Sequence, residues 1–317
     1  MTDQLKKYLL ADRRSRVEAV HLSNAWTEGL THQDLPEPVH GLLGELVAAA
    51  TLLASNIKFD GSLVLQLQGD GPVALLVVEC TADLSIRATA TLRDAQAITP
   101  DGTLQSLLNV GGEGRFMVVL DPKRSDQHMQ PYQGIVPIQE HTIAGCLEHY
   151  MRDSEQLDTR LALAADSQHC AGLLMQRLPD QGGTGTDTDN KLESTASDPS
   201  VSPMPWEELQ LLLDTVDTRE LLDTDTDTLI HRLLWEHDVI AFDPQPVQWH
   251  CPCTRERVAG MLRMLGEDEV QSILDEQGQI SVSCNFCGKP YMFDEIDSAG
   301  LFLDPPVDGA SDDPTIH

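Results

Sequence analysis

Aromatic residues make up only 4% of the 317-residue chain, so any sizeable core must be built from aliphatic side chains. Basic residues are also scarce, 21 lysines and arginines against 51 aspartates and glutamates, for a formal net charge of −30. A field of that sign repels a phosphate backbone, which argues against general nucleic-acid binding. There is no long hydrophobic run: the most apolar stretch, 42–57, contains Glu45 and is too short to span a bilayer. The first twenty residues, MTDQLKKYLLADRRSRVEAV, hold neither the apolar segment nor the small-residue cleavage site of a secretory signal, so the expectation is a soluble, cytoplasmic protein with no membrane partner. The motifs of the common enzyme classes are missing too: no GxSxG elbow, no HExxH helix and no phosphate-binding P-loop. Gly69-Asp70-Gly71 and Gly112-Glu113-Gly114 lack the third glycine of a dinucleotide fingerprint and read as turns. The expectation is a protein that is not an enzyme.

What is present divides into segments. Residues 1–180 read as one α+β core domain. The Ala/Leu-rich stretch 40–57 suits a buried helix, and SLVLQLQ at 62–68 alternates like a half-buried strand. Residues 74–80, 84–92 and 115–120 supply further strands, while 142–151 and 165–178 have helical composition. Residues 181–205, rich in Gly, Thr, Ser, Asp and Pro, can bury little and read as a flexible low-complexity insertion.

Apolar residues then return with a helical period. Leu209, Leu212, Leu213 and Val216 share one face, and Leu229, Ile230, Leu233 and Leu234 form a second. Between these two expected helices lies LLDTDTDT, rich in weak helix formers. From 205 to 247 there are eleven acidic residues and two basic ones, and like charge at that density opposes compaction. The segment 206–247 is therefore expected to be a helical linker of marginal stability. A small C-terminal module, 248–300, and a Pro/Asp-rich disordered tail, 301–317, complete the partition.

The chemistry concentrates in the module. Cys251-Pro252-Cys253 precedes two helical stretches, 254–265 and 267–276, and Cys284-Asn285-Phe286-Cys287-Gly288 follows them. Two close thiolate pairs match the four-sulfur tetrahedron that zinc prefers, and a module of about fifty residues seldom folds on its core alone. Cys251, Cys253, Cys284 and Cys287 are accordingly the candidate ligands of one Zn2+. His250 is an adjacent competitor, and Arg255, Arg257, Arg263 and Lys289 lie near enough in sequence to favour thiolates. Four thiolates close the coordination sphere and leave no open position for catalysis. A metal, paired cysteines and a half-stable neighbouring segment are the parts a redox switch requires. A zinc-ribbon regulator that binds protein or nucleic acid is the competing reading, opposed by the acidic charge. Cys80, Cys146 and Cys170 lie in apolar contexts and read as inert core thiols.

These residues also resemble a known family. CPC…CNFCG, LLGELVAAATLLASNIKFDGSLVLQLQGDGPV (42–73), PYQGIVPI (131–138), SEQLDTRLAL (154–163), RERVAGML and GEDEVQSIL together resemble heat shock protein 33, the redox-regulated holdase chaperones. The resemblance spans nearly the whole chain, with 181–203 standing out as an insertion. It implies a monomer that is inactive while zinc sits on four reduced cysteines. It further implies that strong oxidants create the disulfides Cys251–Cys253 and Cys284–Cys287, release zinc and unfold the linker. The oxidised form then dimerises and holds unfolding client proteins without ATP, as part of the response to oxidative stress.

Overall fold

The structure is a computed structural model that describes residues 3–58, 60–122, 130–179 and 204–303. In chain order its elements begin with β1 (Gln4–Leu10), β2 (Ser15–Leu22), α1 (Asn24–Leu30), α2 (Glu37–Ala54), β3 (Gly61–Gln68), β4 (Val73–Thr81) and β5 (Ser85–Leu92). Then come α3 (Leu104–Leu108), β6 (Arg115–Pro122), β7 (Tyr132–Pro137), α4 (Ile143–Asp153), β8 (Thr159–Ala165) and β9 (Cys170–Arg177). The acidic segment supplies α5 (Trp206–Leu213), α6 (Thr218–Asp223), α7 (Thr226–Leu233), β10 (Val239–Ala241), β11 (Gln245–Pro246) and β12 (Gln248–Trp249). The cysteine module supplies α8 (Arg255–Leu265), α9 (Glu267–Gln277), β13 (Ile280–Ser283), β14 (Pro290–Phe293) and α10 (Glu295–Leu303). The fold class is α+β. The described residues up to His250 form one compact unit, and those from Cys251 onward a second.

In the first unit α2 is the organising element. It follows Pro36, carries a second proline in its first turn, and is apolar almost all round, with Val39, Leu43, Leu46, Val47 and Leu52 fully buried. Such a helix must be covered on opposite sides, and two sheets do this. One runs β10-β1-β2-β9-β8, with β11 also on β1; the other runs β12-β5-β4-β3-β6-β7. Every pairing is antiparallel except β12 with β5. The main core joins α2 to the inner faces of both sheets.

The expected strands appear with small changes of boundary, and α2 and α4 lie where helices were expected. Residues 165–178 are a correction: they were expected to be helical, but they form the turn after β8 and the strand β9. Asp166 closes that turn by accepting from the amides of Gln168 and His169, both at 2.7 Å. Ala, Leu and Met favour a helix locally, but β9 lies between β2 and β8 with both faces covered, and that burial overrides propensity. The two glycine motifs are turns, and they meet. Asp70 accepts from the amides of Gly111 at 2.8 Å and Glu113 at 3.1 Å.

The acidic segment forms three helices rather than two. α6 arises where Asp217 caps the amide of Glu220 at 2.7 Å, and α7 where Asp225 caps Asp227 and Thr228, so the aspartates that weaken a helix interior start helices here. Their apolar faces pack on the outer face of the first sheet. Leu209, Leu213, Leu221, Leu229 and Ile230 form a second core there with Tyr8, Val17, Leu173 and Met175. Of the expected insertion, 181–203 lies outside the described residues, as does the tail from residue 304.

In the second unit α8, α9 and α10 surround a two-stranded hairpin, β13 with β14. The helix α10 was not foreseen. The core is eight buried residues, among them Leu262, Val270, Leu274, Tyr291 and Phe293, which is small for independent folding.

Candidate metal centre

The first cysteine pair lies on the entry to α8. Thr254 has extended backbone and its side chain accepts from the amide of Arg257 at 3.3 Å, so the helix starts immediately after Cys253 and leaves Cys251-Pro252-Cys253 as a short extended arm. The second pair lies in the tight connection between β13 and β14. Gly288 donates its amide to the Cys284 carbonyl at 2.8 Å, and Cys284 donates to the Lys289 carbonyl at 3.0 Å. Gly288 has φ +66°, the left-handed conformation that closes the knuckle and that other residues adopt only with strain.

These two loops converge. Cys251 Sγ lies 3.6 Å from Cys284 Sγ, and Cys253 Sγ 3.3 Å from Cys287 Sγ. All four sulfurs are within 4.8 Å of one another, and all four cysteines are half-buried. With metal–sulfur bonds near 2.3 Å, a zinc tetrathiolate has edges of about 3.8 Å, so the quartet fits such an ion in size and in donor chemistry. Among the described residues this is the group of His, Cys, Asp and Glu side chains gathered closely enough to hold a metal ion.

The sulfurs are not equivalent. Burial pushes the Cys251 thiol up to about 12, and burial likewise raises Cys287. Burial also opposes ionisation of Cys253, but hydrogen bonds from Tyr291 and from the other three thiols outweigh it and bring Cys253 down to about 7. The Tyr291 hydroxyl donates to Cys253 Sγ at 3.1 Å, and that bond holds its own ionisation well above the ordinary tyrosine range. Sequence reasoning passed over Tyr291. The available signal was alternation on β14, where Tyr291 and Phe293 point inward and Met292 outward.

The neighbouring cations have other partners. Arg255 pairs with Asp297 at 2.7 Å, donates to the Met292 carbonyl at 2.6 Å and stacks over Phe293. Arg257 donates to the Pro252 carbonyl at 3.0 Å and Arg263 to the Leu301 carbonyl at 3.0 Å, while Lys289 sits over the Tyr291 ring. Arg257 thus braces the arm that carries Cys251 and Cys253, whereas Arg255 and Arg263 tie α8 to β14 and α10. His250 is exposed and stands outside the quartet. Cys80, Cys146 and Cys170 are buried, and burial raises all three thiols, Cys146 to about 11. Thiols held protonated in this way are poor nucleophiles.

A model of the Hsp33 protein family matches residues 3–294. The chain belongs to the Hsp33 family. Its sequence is 44% identical over 303 residues to a 33 kDa chaperonin of Methylobacillus flagellatus, covering 95% of each chain. It is 39% identical over 312 residues to a 33 kDa chaperonin of Pseudomonas aeruginosa, covering 98% of each. The crystal structure of the 33 kDa chaperonin from Thermotoga maritima shares the fold, with a TM-score of 0.74 at 19% identity over 94% of this chain and 97% of that one. Among the described residues no helix is long and apolar enough to cross a membrane.

Proposed function

We propose that this Hsp33-family protein is a redox-regulated, ATP-independent holdase chaperone of the cytoplasm. Four thiols within 4.8 Å of one another, in a unit with only a small core, carry the reading. In the reduced state Cys251, Cys253, Cys284 and Cys287 hold one Zn2+, which crosslinks the two ends of the module. Structural zinc contributes roughly 10–16 kcal/mol of apparent folding energy to small modules, as much as the whole stability of many domains. Under peroxide or hypochlorite, Cys251 joins Cys253 and Cys284 joins Cys287. As each disulfide forms, its two thiolates give up two electrons to the oxidant, and peroxide takes up two protons from solvent to leave as water. The sulfurs then cease to be thiolate donors, and the crosslink is lost with the metal.

The proposed partition is a core domain to about residue 180, an insertion at 181–205, a sensing linker at 206–247, the switch module at 248–300 and a tail at 301–317. Loss of the module's fold destabilises the acidic linker, whose helices cover Tyr8, Val17, Leu173 and Met175. Uncovering that apolar surface lets the protein bind unfolding clients and pair with a second copy, whereas the reduced form is a monomer. The reading assigns no catalysis, no nucleic acid and no membrane partner. Its test is light scattering from a heat-denatured client. The oxidised protein is expected to suppress aggregation and the reduced protein not to; equal behaviour of the two forms would overturn the reading.

A further inference from the structure

We infer that the edges of β1 and β5 form a binding site for an extended stretch of unfolded polypeptide, occupied in the resting protein by the chain's own residues 239–250. This rests on the holdase reading and specifies how a client would be held.

The segment 239–250 behaves like an added peptide. It runs antiparallel along β1 as β10 and β11, turns, and then lies parallel to β5 as β12, so it completes one edge of each sheet in turn. Its attachment is mostly through backbone. Phe242 donates its amide to the Lys7 carbonyl at 3.0 Å, Gln248 to Leu84 at 3.2 Å and His250 to Ile86 at 3.0 Å. The side chains contribute little over the first half, where Ile240 and Phe242 are each 42% exposed. Two residues anchor the second half. Val247 is buried in the main core, and the ring of Trp249 lies so close over Gly29 that a Cβ there would meet it at 2.6 Å.

Such a site reads the peptide backbone and asks only for bulky apolar side chains two residues apart. Every unfolding protein offers that combination, and none of it depends on a particular sequence. The occupant is also placed to leave. Pro244 and Pro246 remove two backbone donors, and His250 is joined directly to the first switch cysteine, Cys251. Once the segment detaches, two sheet edges and the apolar seats of Val247 and Trp249 stand open to an extended client.

The test uses full-length protein and a fluorescent peptide of sequence VIAFDPQPVQWH, residues 239–250, read by anisotropy. A second peptide carries N-methyl groups on the amides equivalent to Gln248 and His250. Reduced wild type is expected to bind neither. Oxidised wild type and reduced Trp249→Ala are expected to bind the first, and the methylated peptide roughly ten- to a hundredfold more weakly, for two lost hydrogen bonds. Gly29→Ala, which displaces the ring while favouring the helix, is expected to act as Trp249→Ala does, and guards against a variant that misfolds. Absence of binding by the oxidised protein and both variants overturns the site, as does equal binding of the two peptides. Client scattering run in parallel separates the claims. Suppression without peptide binding removes the site and leaves the holdase, whereas peptide binding without suppression leaves the site and removes the holdase.

Discussion

The Tyr8 hydroxyl on β1 donates to Asp227 Oδ1 on α7 at 2.9 Å, across 219 residues of sequence, while Lys6 reaches Oδ2 of the same carboxylate at 2.7 Å. One aspartate thus ties a helix of the acidic segment to the sheet it covers. Asp227→Ala is expected to weaken that attachment by about 1 kcal/mol, because the carboxylate is mostly exposed and screened. The Lys6 hydrogen bond leads in depressing the Asp227 pKa. Its stabilising contribution is therefore complete above the unfolded value of 3.8 and fades as the pH falls through the lower folded value. Hydrogen exchange of residues 226–233 should accelerate in the variant at pH 7, with exchange in β3 and β4 unchanged.

Removing metal from the reduced protein with a strong chelator should unfold the cysteine module and lower far-UV helicity. About one zinc per chain is expected beforehand, and Cys284→Ser should lower that content. Elemental analysis alongside circular dichroism checks both. A reduced protein free of metal, or helicity indifferent to the chelator, would contradict the assignment of the quartet.

Glu45 sits in α2, where burial raises its pKa from 4.5 to about 7. An acid whose pKa rises on folding favours the fold most below its unfolded value, and that contribution is lost as the pH climbs through about 7. Glu45→Gln should therefore raise Tm at pH 8, by about 2–4 °C for each kcal/mol recovered, and leave it nearly unchanged at pH 4.5. Thermal melts at the two pH values decide this.

Two glycines of α2 should answer differently to alanine. A Cβ on Gly44 would lie 2.4 Å from the Ala165 Cβ and 3.1 Å from the Trp26 ring, whereas one on Gly41 would meet nothing within 4 Å. Gly44→Ala is expected to cost about 1–3 kcal/mol through overpacking. Gly41→Ala should gain up to about 1 kcal/mol from helix propensity. Denaturant midpoints measured on the two variants give the comparison.

The convergence of the four cysteines was legible because half of it is local: Cys251 with Cys253, and Cys284 with Cys287, are brought close by chain connectivity, and only the meeting of the two loops was left to the fold. The helix α2 and strands β3 and β4 were legible for a similar reason, since their apolar periods are strong and uninterrupted. β9 was not, because Ala, Leu and Met at 171–175 suit a helix as well as a buried strand, and the choice was made by β2 and β8. Nor was Tyr291 as a partner of Cys253, since a hydrogen bond between residues 38 apart leaves no trace in spacing. α6 was missed because aspartate weakens a helix interior yet starts a helix well, and its effect depends on position.

By itself the sequence determined the four-sulfur composition of the cysteine module, the acidic charge of residues 205–247 and the presence of a long buried helix, all properties of side chains and short-range spacing. Only the tertiary structure decided that residues 239–250 complete the edges of β1 and β5, that α5 to α7 cover one face of a sheet, and which carboxylate ties α7 down. Backbone amides and carbonyls are the same in every residue, so strand pairing across more than a hundred residues is chosen by where the core closes rather than by any local signal.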